Sequence, residues 1–246
     1  MTNEVSRRDF LAGAASLAAA AQLPIGALTD PPQAAAAKPA VIVFQGDSIT
    51  ESGRNLESAE ANTAGALGNG YPLLVASAVL AARPASGLRF YNRGVSGNKL
   101  PDLQQRWTTD TVDLHPDVLS VLIGVNDFWH KLDHGYNGTV QDYEQQYTAL
   151  LDETRRVLPH VHLIVLEPFV LRTGPVDARW FPEFDQRRAV AARVAAQARA
   201  TFVPLQSIFN QRTRTAPPAF WAADGVHPTP AGHAVIAEHW RRAARW

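Results

Sequence analysis

The chain has 246 residues, 46% of them apolar, with 23 basic and 23 acidic side chains and no cysteine. Zero formal charge argues against nucleic acid or an anionic membrane surface as the main partner. The lack of cysteine excludes disulfides, thiolate nucleophiles and cysteine-ligated metals.

The N-terminal stretch "SRRDFLAGAASLAAAA" carries Arg7 and Arg8, then Phe10, Leu11 and an alanine-rich run. This pattern reads as a twin-arginine export signal, addressed to the periplasm or the medium. The run is too short and too alanine-rich for a good membrane span, so no stable membrane insertion is expected. "PPQAAAAKPA" supplies small residues for cleavage between Ala34 and Ala40. Residues 1–37 are therefore assigned to signal and linker, and 38–246 to one domain. About 210 residues suffice for a substantial core.

Short apolar runs then alternate with helical patterns. Strands are predicted at Val41–Phe44, Leu88–Asn92, Asp117–Gly124, Val161–Pro168 and, more weakly, Thr201–Leu205. The third and fourth are almost continuously apolar, as strands covered on both faces should be. A helix is predicted within 138–159 from Tyr143, Tyr147, Leu150, Leu151 and Leu158, with Thr139 and Asp142 as a capping box and Pro159 as the stop. A second covers 185–200. A third follows Thr229 as N-cap and Pro230, with Val235, Ile236, His239 and Trp240 sharing one face. This alternation predicts an α/β fold with a mainly parallel five-stranded sheet between two helical layers. Two long segments, 51–72 and 169–184, read as loops walling a cleft at the carboxyl ends of the strands. "GALGNG" in the first has neither the position nor the spacing of a dinucleotide fingerprint.

Polar, glycine-rich clusters follow the strands: "GDSIT" (46–50), "NRGVSGN" (92–98) and "GVND" (124–127), with "DGVH" (224–227) near the C-terminus. Together they supply what acyl transfer requires. A serine hydroxyl needs a base to become a nucleophile, and the base needs a group to hold its other nitrogen. Ser48, His227 and Asp224 fit those three parts. Ser48 N–H, Gly97 N–H and the Asn126 amide are the candidate donors for a developing oxyanion.

With these blocks in this order, the chain resembles the SGNH hydrolases, also called GDSL esterases and lipases. The resemblance covers most of the domain and implies a flavodoxin-like three-layer α/β/α fold. It implies ester hydrolysis without metal or organic cofactor, with Ser48 as nucleophile, His227 as base and Asp224 as its orienter. Ser48, Gly97 and Asn126 would form the oxyanion hole. The oxyanion role goes to Gly97, which follows a small residue as the family's glycine does; Gly94 is assigned to the turn after the strand. The elbow G-x-S-x-G of the larger α/β-hydrolases is absent, because Thr50 stands where its second glycine would be.

Neighbouring residues have plainer readings. Asp47 supports the serine turn and Asp127 orients the Asn126 loop. His130 and His134 read as part of a polar loop rather than as metal ligands, His233 and His239 as structural, and Ser96 as a bystander. Phe128, Trp129, Trp221, Tyr71 and Arg172 are the expected substrate contacts, with Trp180, Arg54 and Asn55 as further wall residues. Export, a polar cleft, scattered tryptophans and the lack of a long apolar lid point to a short acyl group, acetyl above all, on a carbohydrate. The expected partner is a small-molecule or polysaccharide ester. A lipase, lysophospholipase or thioesterase using the same site is the alternative. Loop aromatics suit a subunit contact as well as a substrate, so no oligomeric state follows from them.

Overall fold

The computed structural model describes residues 40–246; the export segment and cleavage region lie outside the described residues except for Ala40. Five parallel strands form the sheet: β1 (Val41–Gly46), β2 (Arg89–Asn92), β3 (Val118–Leu122), β4 (His162–Leu166) and β5 (Thr201–Val203). Their spatial order is β2-β1-β3-β4-β5. Register pairs Val41 with Arg89, Ile42 with Val118, Val118 with His162 and Ile164 with Thr201.

Alternation along each strand divides the core into two layers. Ile42, Phe44, Val118, Leu122, Ile164 and Leu166 face one side. Val41, Val43, Leu119, Val121, Leu163 and Val165 face the other. This is the two-residue period of strand side chains, and it is why both faces must be apolar here.

Ten α-helices complete the described chain: α1 (Ser48–Glu51), α2 (Ala64–Leu67), α3 (Tyr71–Ala82), α4 (Leu100–Asp110), α5 (Val125–Asp133), α6 (Val140–Val157), α7 (Glu183–Gln197), α8 (Leu205–Arg212), α9 (Pro218–Trp221) and α10 (Pro230–Ala244). The first face of the sheet is covered by α3, α8 and α10 through Val75, Phe209, Ile236 and Trp240. The second is covered by α4, α6 and α7 through Leu103, Tyr147, Leu151 and Val194. Each layer carries one buried tryptophan whose N–H finds a hydroxyl. Trp240 donates to Ser120 at 2.9 Å, and Trp107 donates to Thr154 at 3.1 Å. That pairing removes the desolvation cost of the indole nitrogen.

The helix boundaries on α6 and α10 agree with their caps. Thr139 and Asp142 exchange both capping-box bonds, and Thr229 accepts from the Gly232 amide. Other features differ from expectation. The segment 51–72 is broken by α2 and ends inside α3, because Thr63 caps one helix and Pro72 begins the next. The "HKLDHGYNG" stretch is not all loop, since α5 continues through His130 to Asp133. On α10 His239 is only half-buried; His233 joins the interior instead, its Nδ1 accepting from the Tyr71 amide at 3.2 Å. Burial pushes that imidazole down to about 4, so it packs uncharged.

The strand order places a topological switch between β1 and β3, since the chain leaves β1 for β2 on one side and returns to β3 on the other. A crevice at the carboxyl ends of those two strands is the standard ligand position of open parallel sheets. Ser48 follows β1 and Asn126 follows β3.

Candidate active site

Asp47 ends the β1 turn and caps α1, its Oδ1 accepting from the Ile49 amide at 3.0 Å. Ser48 is then the first residue of α1. Its amide has no preceding helical carbonyl to bond and is free to donate into the crevice. Asp47 itself is buried, with one oxygen unpartnered. Burial pushes its carboxyl up to about 7.

The loop after β2 is held against α1 by close backbone approach. A side chain on Gly94 would meet Glu51 N at 2.4 Å and Thr50 C at 2.8 Å. Gly94 therefore serves packing. Gly97 has φ +77°, the left-handed region that favours glycine, and a Cβ there would come into ordinary contact with His130 Cε1 at 3.7 Å. Asn126 and Asp127 stitch this loop to the start of α5. Asn126 Nδ2 donates to Asn98 O at 3.2 Å, and Asp127 Oδ1 accepts from the Leu100 amide at 3.1 Å. An amide carries two N–H bonds, so Asn126 keeps one for a ligand. Burial raises Asp127 to about 6.

His227 arrives on the loop between α9 and α10. Asp224 builds that loop with one carboxylate oxygen and serves the imidazole with the other. Oδ1 accepts from the Val226 and His227 amides at 2.9 and 2.7 Å. Oδ2 lies 2.7 Å from His227 Nδ1. The three-residue spacing works because one short side chain closes the turn and reaches the ring it has turned back. Burial alone would raise Asp224, but the bonds from His227 and Val226 outweigh it and hold the carboxyl below its usual range. With Nδ1–H donating to Asp224, Nε2 is the acceptor for the Ser48 hydroxyl at 2.8 Å. Residues 179 apart in sequence thus complete one relay.

A cavity of about 270 Å3 opens onto this relay, lined by Ser48, Ser96, Gly97, Asn126, Trp129, His130, His134 and His227. Trp129 lies over the imidazole, with ring centroids 5.9 Å apart. Of the expected substrate contacts it alone lines this cavity. Phe128 is buried against Trp180 and Phe184, and Tyr71 is buried with its hydroxyl on Thr50 at 3.0 Å. Trp221 belongs to the core, its N–H donating to Ala216 O. Their burial corrects the expectation that they face a ligand. Arg172 stacks on Phe181 and lines a different cavity, with Asp185 and Arg188, that shares no residue with this one. Trp180 is core, and Arg54 donates to Gly94 O at 2.8 Å inside the molecule. Asn55 instead closes a surface turn by accepting from the Glu57 amide.

His130 and His134 line the cavity, although their sequence context reads as loop. Their spacing of four, directly behind Asn126 on one short helix, was the available signal. Among the described residues, no group of three or more histidine, aspartate or glutamate side chains is placed to hold a metal. No helix among them is long and apolar enough to cross a membrane.

A nucleophile-type serine at the switch point of a five-stranded parallel sheet, faced by an oriented histidine, defines a class. Residues 44–235 match the GDSL-like lipase/acylhydrolase family. The chain belongs to that family, within the SGNH superfamily, and is a carboxylic ester hydrolase.

Among known proteins it is 35% identical over 208 residues to an acetylxylan esterase of Geobacillus stearothermophilus, spanning 82% of this chain and 92% of that one. A solved structure of that organism's acetylxylan esterase superposes with TM-score 0.76 at 32% identity, covering 84% of this chain and 94% of the other. A GDSL-like lipase candidate from Parabacteroides merdae gives TM-score 0.82 at 44% identity, over 85% and 96% of the chains. Solved catalytic mutants of the Geobacillus enzyme replace a serine, an aspartate and a histidine spaced along its chain as Ser48, Asp224 and His227 are here. Residues 4–24 match the twin-arginine translocation signal, and the protein is exported by that route.

Proposed function

We propose that this protein is an exported acetyl esterase that removes acetyl groups from carbohydrate through Ser48, His227 and Asp224, and that its hydrolase domain comprises residues 38–246. The observation that carries the reading is the continuous relay from Ser48 Oγ to His227 Nε2 at 2.8 Å and from Nδ1 to Asp224 at 2.7 Å. The relay opens on a cavity of about 270 Å3. The likeness to an acetylxylan esterase supports the sugar ester, as does the matching spacing of that enzyme's catalytic positions.

The chemistry follows from the geometry. Ser48 Oγ attacks the ester carbonyl carbon while its proton passes to His227 Nε2. Asp224 stabilises the imidazolium that results. The carbonyl oxygen becomes an oxyanion, held by the Ser48 and Gly97 amides and the free Asn126 N–H. Collapse expels the sugar oxygen, which takes the proton back from Nε2 and leaves acetyl on Ser48. Water then attacks the acyl-enzyme, gives its proton to His227, and acetate leaves as Ser48 recovers the proton.

Acetate release from acetylated xylan and from acetylated xylooligosaccharides, compared with 4-nitrophenyl esters of two to twelve carbons, tests the reading. Preference for acetyl and turnover of the sugar esters are expected. Preference for chains of eight or more carbons would overturn it.

A further inference from the structure

The cavity above Ser48 has two chemically unlike flanks. One is the Trp129 indole, whose N–H is already committed to Asp133 at 2.9 Å. It presents an apolar ring beside His227. The other flank is polar. His130 and His134 stand one turn apart at the end of α5, ring centroids 4.8 Å apart, and both line the cavity with Ser48. The Ser96 side chain lies on the same rim, and His130 Cε1 sits 3.7 Å from the point a Gly97 Cβ would occupy. Among the described residues, the ring nitrogens of this pair bond to no side chain or backbone group, unlike those of His227, His233 and His162.

These groups have nothing to do in the acyl half of the reaction. An acetyl group carries one polar atom, the carbonyl oxygen, and the Ser48, Gly97 and Asn126 donors account for it. Sugar rings carry hydroxyls on their edges and apolar C–H faces above and below. A ring placed with a face on Trp129 would turn its hydroxyl edge towards the two imidazoles.

We propose that His130 and His134 are the hydroxyl-reading residues of the site: they hydrogen-bond the free hydroxyls of the acetylated sugar unit and so select a carbohydrate as the alcohol half of the ester. The proposal rests on the acetyl-carbohydrate reading and specifies it. Partial burial, the Lys99 cation and the neighbouring His134 hold the His130 imidazole below its ordinary range, while Asp102 opposes them. A neutral imidazole offers one donor and one acceptor, which suits a hydroxyl able to play both parts.

The test compares two acetyl esters that share the acyl half and differ in the alcohol. One is a mono-acetylated xylooligosaccharide with free neighbouring hydroxyls; the other is 4-nitrophenyl acetate, which has none. His130→Ala and His134→Ala are each expected to raise KM for the oligosaccharide about five- to tenfold, the loss of one or two net hydrogen bonds. kcat/KM for 4-nitrophenyl acetate should stay within about twofold, which also reports an intact fold. His130→Gln, which keeps a donor and an acceptor, should recover part of the oligosaccharide KM. Equal losses on both esters, or no loss on either, would overturn the proposal while leaving the esterase reading intact. Failure of the unaltered enzyme on the oligosaccharide, with 4-nitrophenyl acetate still cleaved, would remove both. Loss of oligosaccharide preference on adding EDTA would show that the pair holds a metal ion, and would also overturn it.

Discussion

The two ends of the relay are built in different ways. The serine end is part of the interior: Phe44 and Gln45 are fully buried in β1, Asp47 is buried at the cap, and Thr50 is buried beneath. The histidine end is a surface loop, with the His227 and Asp224 side chains 44% and 37% exposed. The sheet aims Ser48, the proposed nucleophile, whereas a self-closed turn aims His227, the proposed base. That turn is tied to the rest of the domain by the Leu171 amide donating to Gly225 O at 2.8 Å and by Val226, which is buried in the core. Change at the serine end should therefore disturb stability as well as chemistry, and change at the histidine end chemistry more than stability.

The proposed mechanism puts the largest effect at the nucleophile. Ser48→Ala should lower kcat by about 10⁴ or more. Ser48 itself is only half-buried, unlike Asp47 and Thr50 beside it, and its hydroxyl makes one part-buried bond, so the thermal midpoint should change little at this one position of the serine end. Measurable turnover at the native rate would end the assignment. Asp224→Asn sharpens the contrast. It should cost about 10³–10⁴ in kcat by favouring the wrong imidazole tautomer, while near-native unfolding confirms that the loop is peripheral. A loss in stability as large as that of a core substitution would show the histidine end is not the independent turn described above.

Asn126→Ala should cost about 10²–10³ in kcat with smaller change in KM, if its free N–H serves the oxyanion as proposed. It also releases the bond to Asn98 O, so a thermal scan should accompany the kinetics. A KM effect without a kcat effect would place Asn126 in ground-state binding.

Asp47 tests the serine end through pH. Its folded pKa of about 7 lies above the ordinary 3.8, so the folded protein keeps the proton longer than the unfolded chain. Stability from this group is therefore full below about pH 4 and is lost as pH rises towards 7 and beyond. Asp47→Asn should gain on the native protein by on the order of 3 kcal/mol between pH 4 and 8, read from denaturant unfolding at each pH. A difference independent of pH would mean the carboxyl is ionised in the fold throughout. Asp224 runs the other way. Its folded pKa is depressed, so its contribution is present above the unfolded value and is lost as pH falls through the folded one.

Much of the fold was legible because its period is local. β1, β3 and β4 are apolar runs flanked by glycine and polar residues, and α6 and α10 carry caps. The helices α3, α4 and α8 escaped notice. The first two open on Tyr71-Pro72 and Leu100-Pro101, with proline in the first turn, where it is favoured. In α5 the run from Val125 to Asp133 begins directly on Gly124, with no side-chain cap to announce it. Without that helix His130 and His134 read as a polar loop rather than as part of the cavity wall. Among aromatics, Phe128 and Trp129 are adjacent, and nothing local distinguishes them. One helical step sends the first into Trp180 and Phe184 and leaves the second beside His227.

The order and chemistry of the blocks "GDSIT", "VSGN", "GVND" and "DGVH" belong to the sequence by itself, as does the two-sided apolarity of the central strands. Those are properties of residue type and short spacing. Only the tertiary structure decided which aromatics see solvent, why Gly94 must lack a side chain, and that Asp224 divides its two oxygens between a turn and a ring. Such facts depend on what a distant segment places opposite a residue, and burial is a relation between segments rather than a trait of either one.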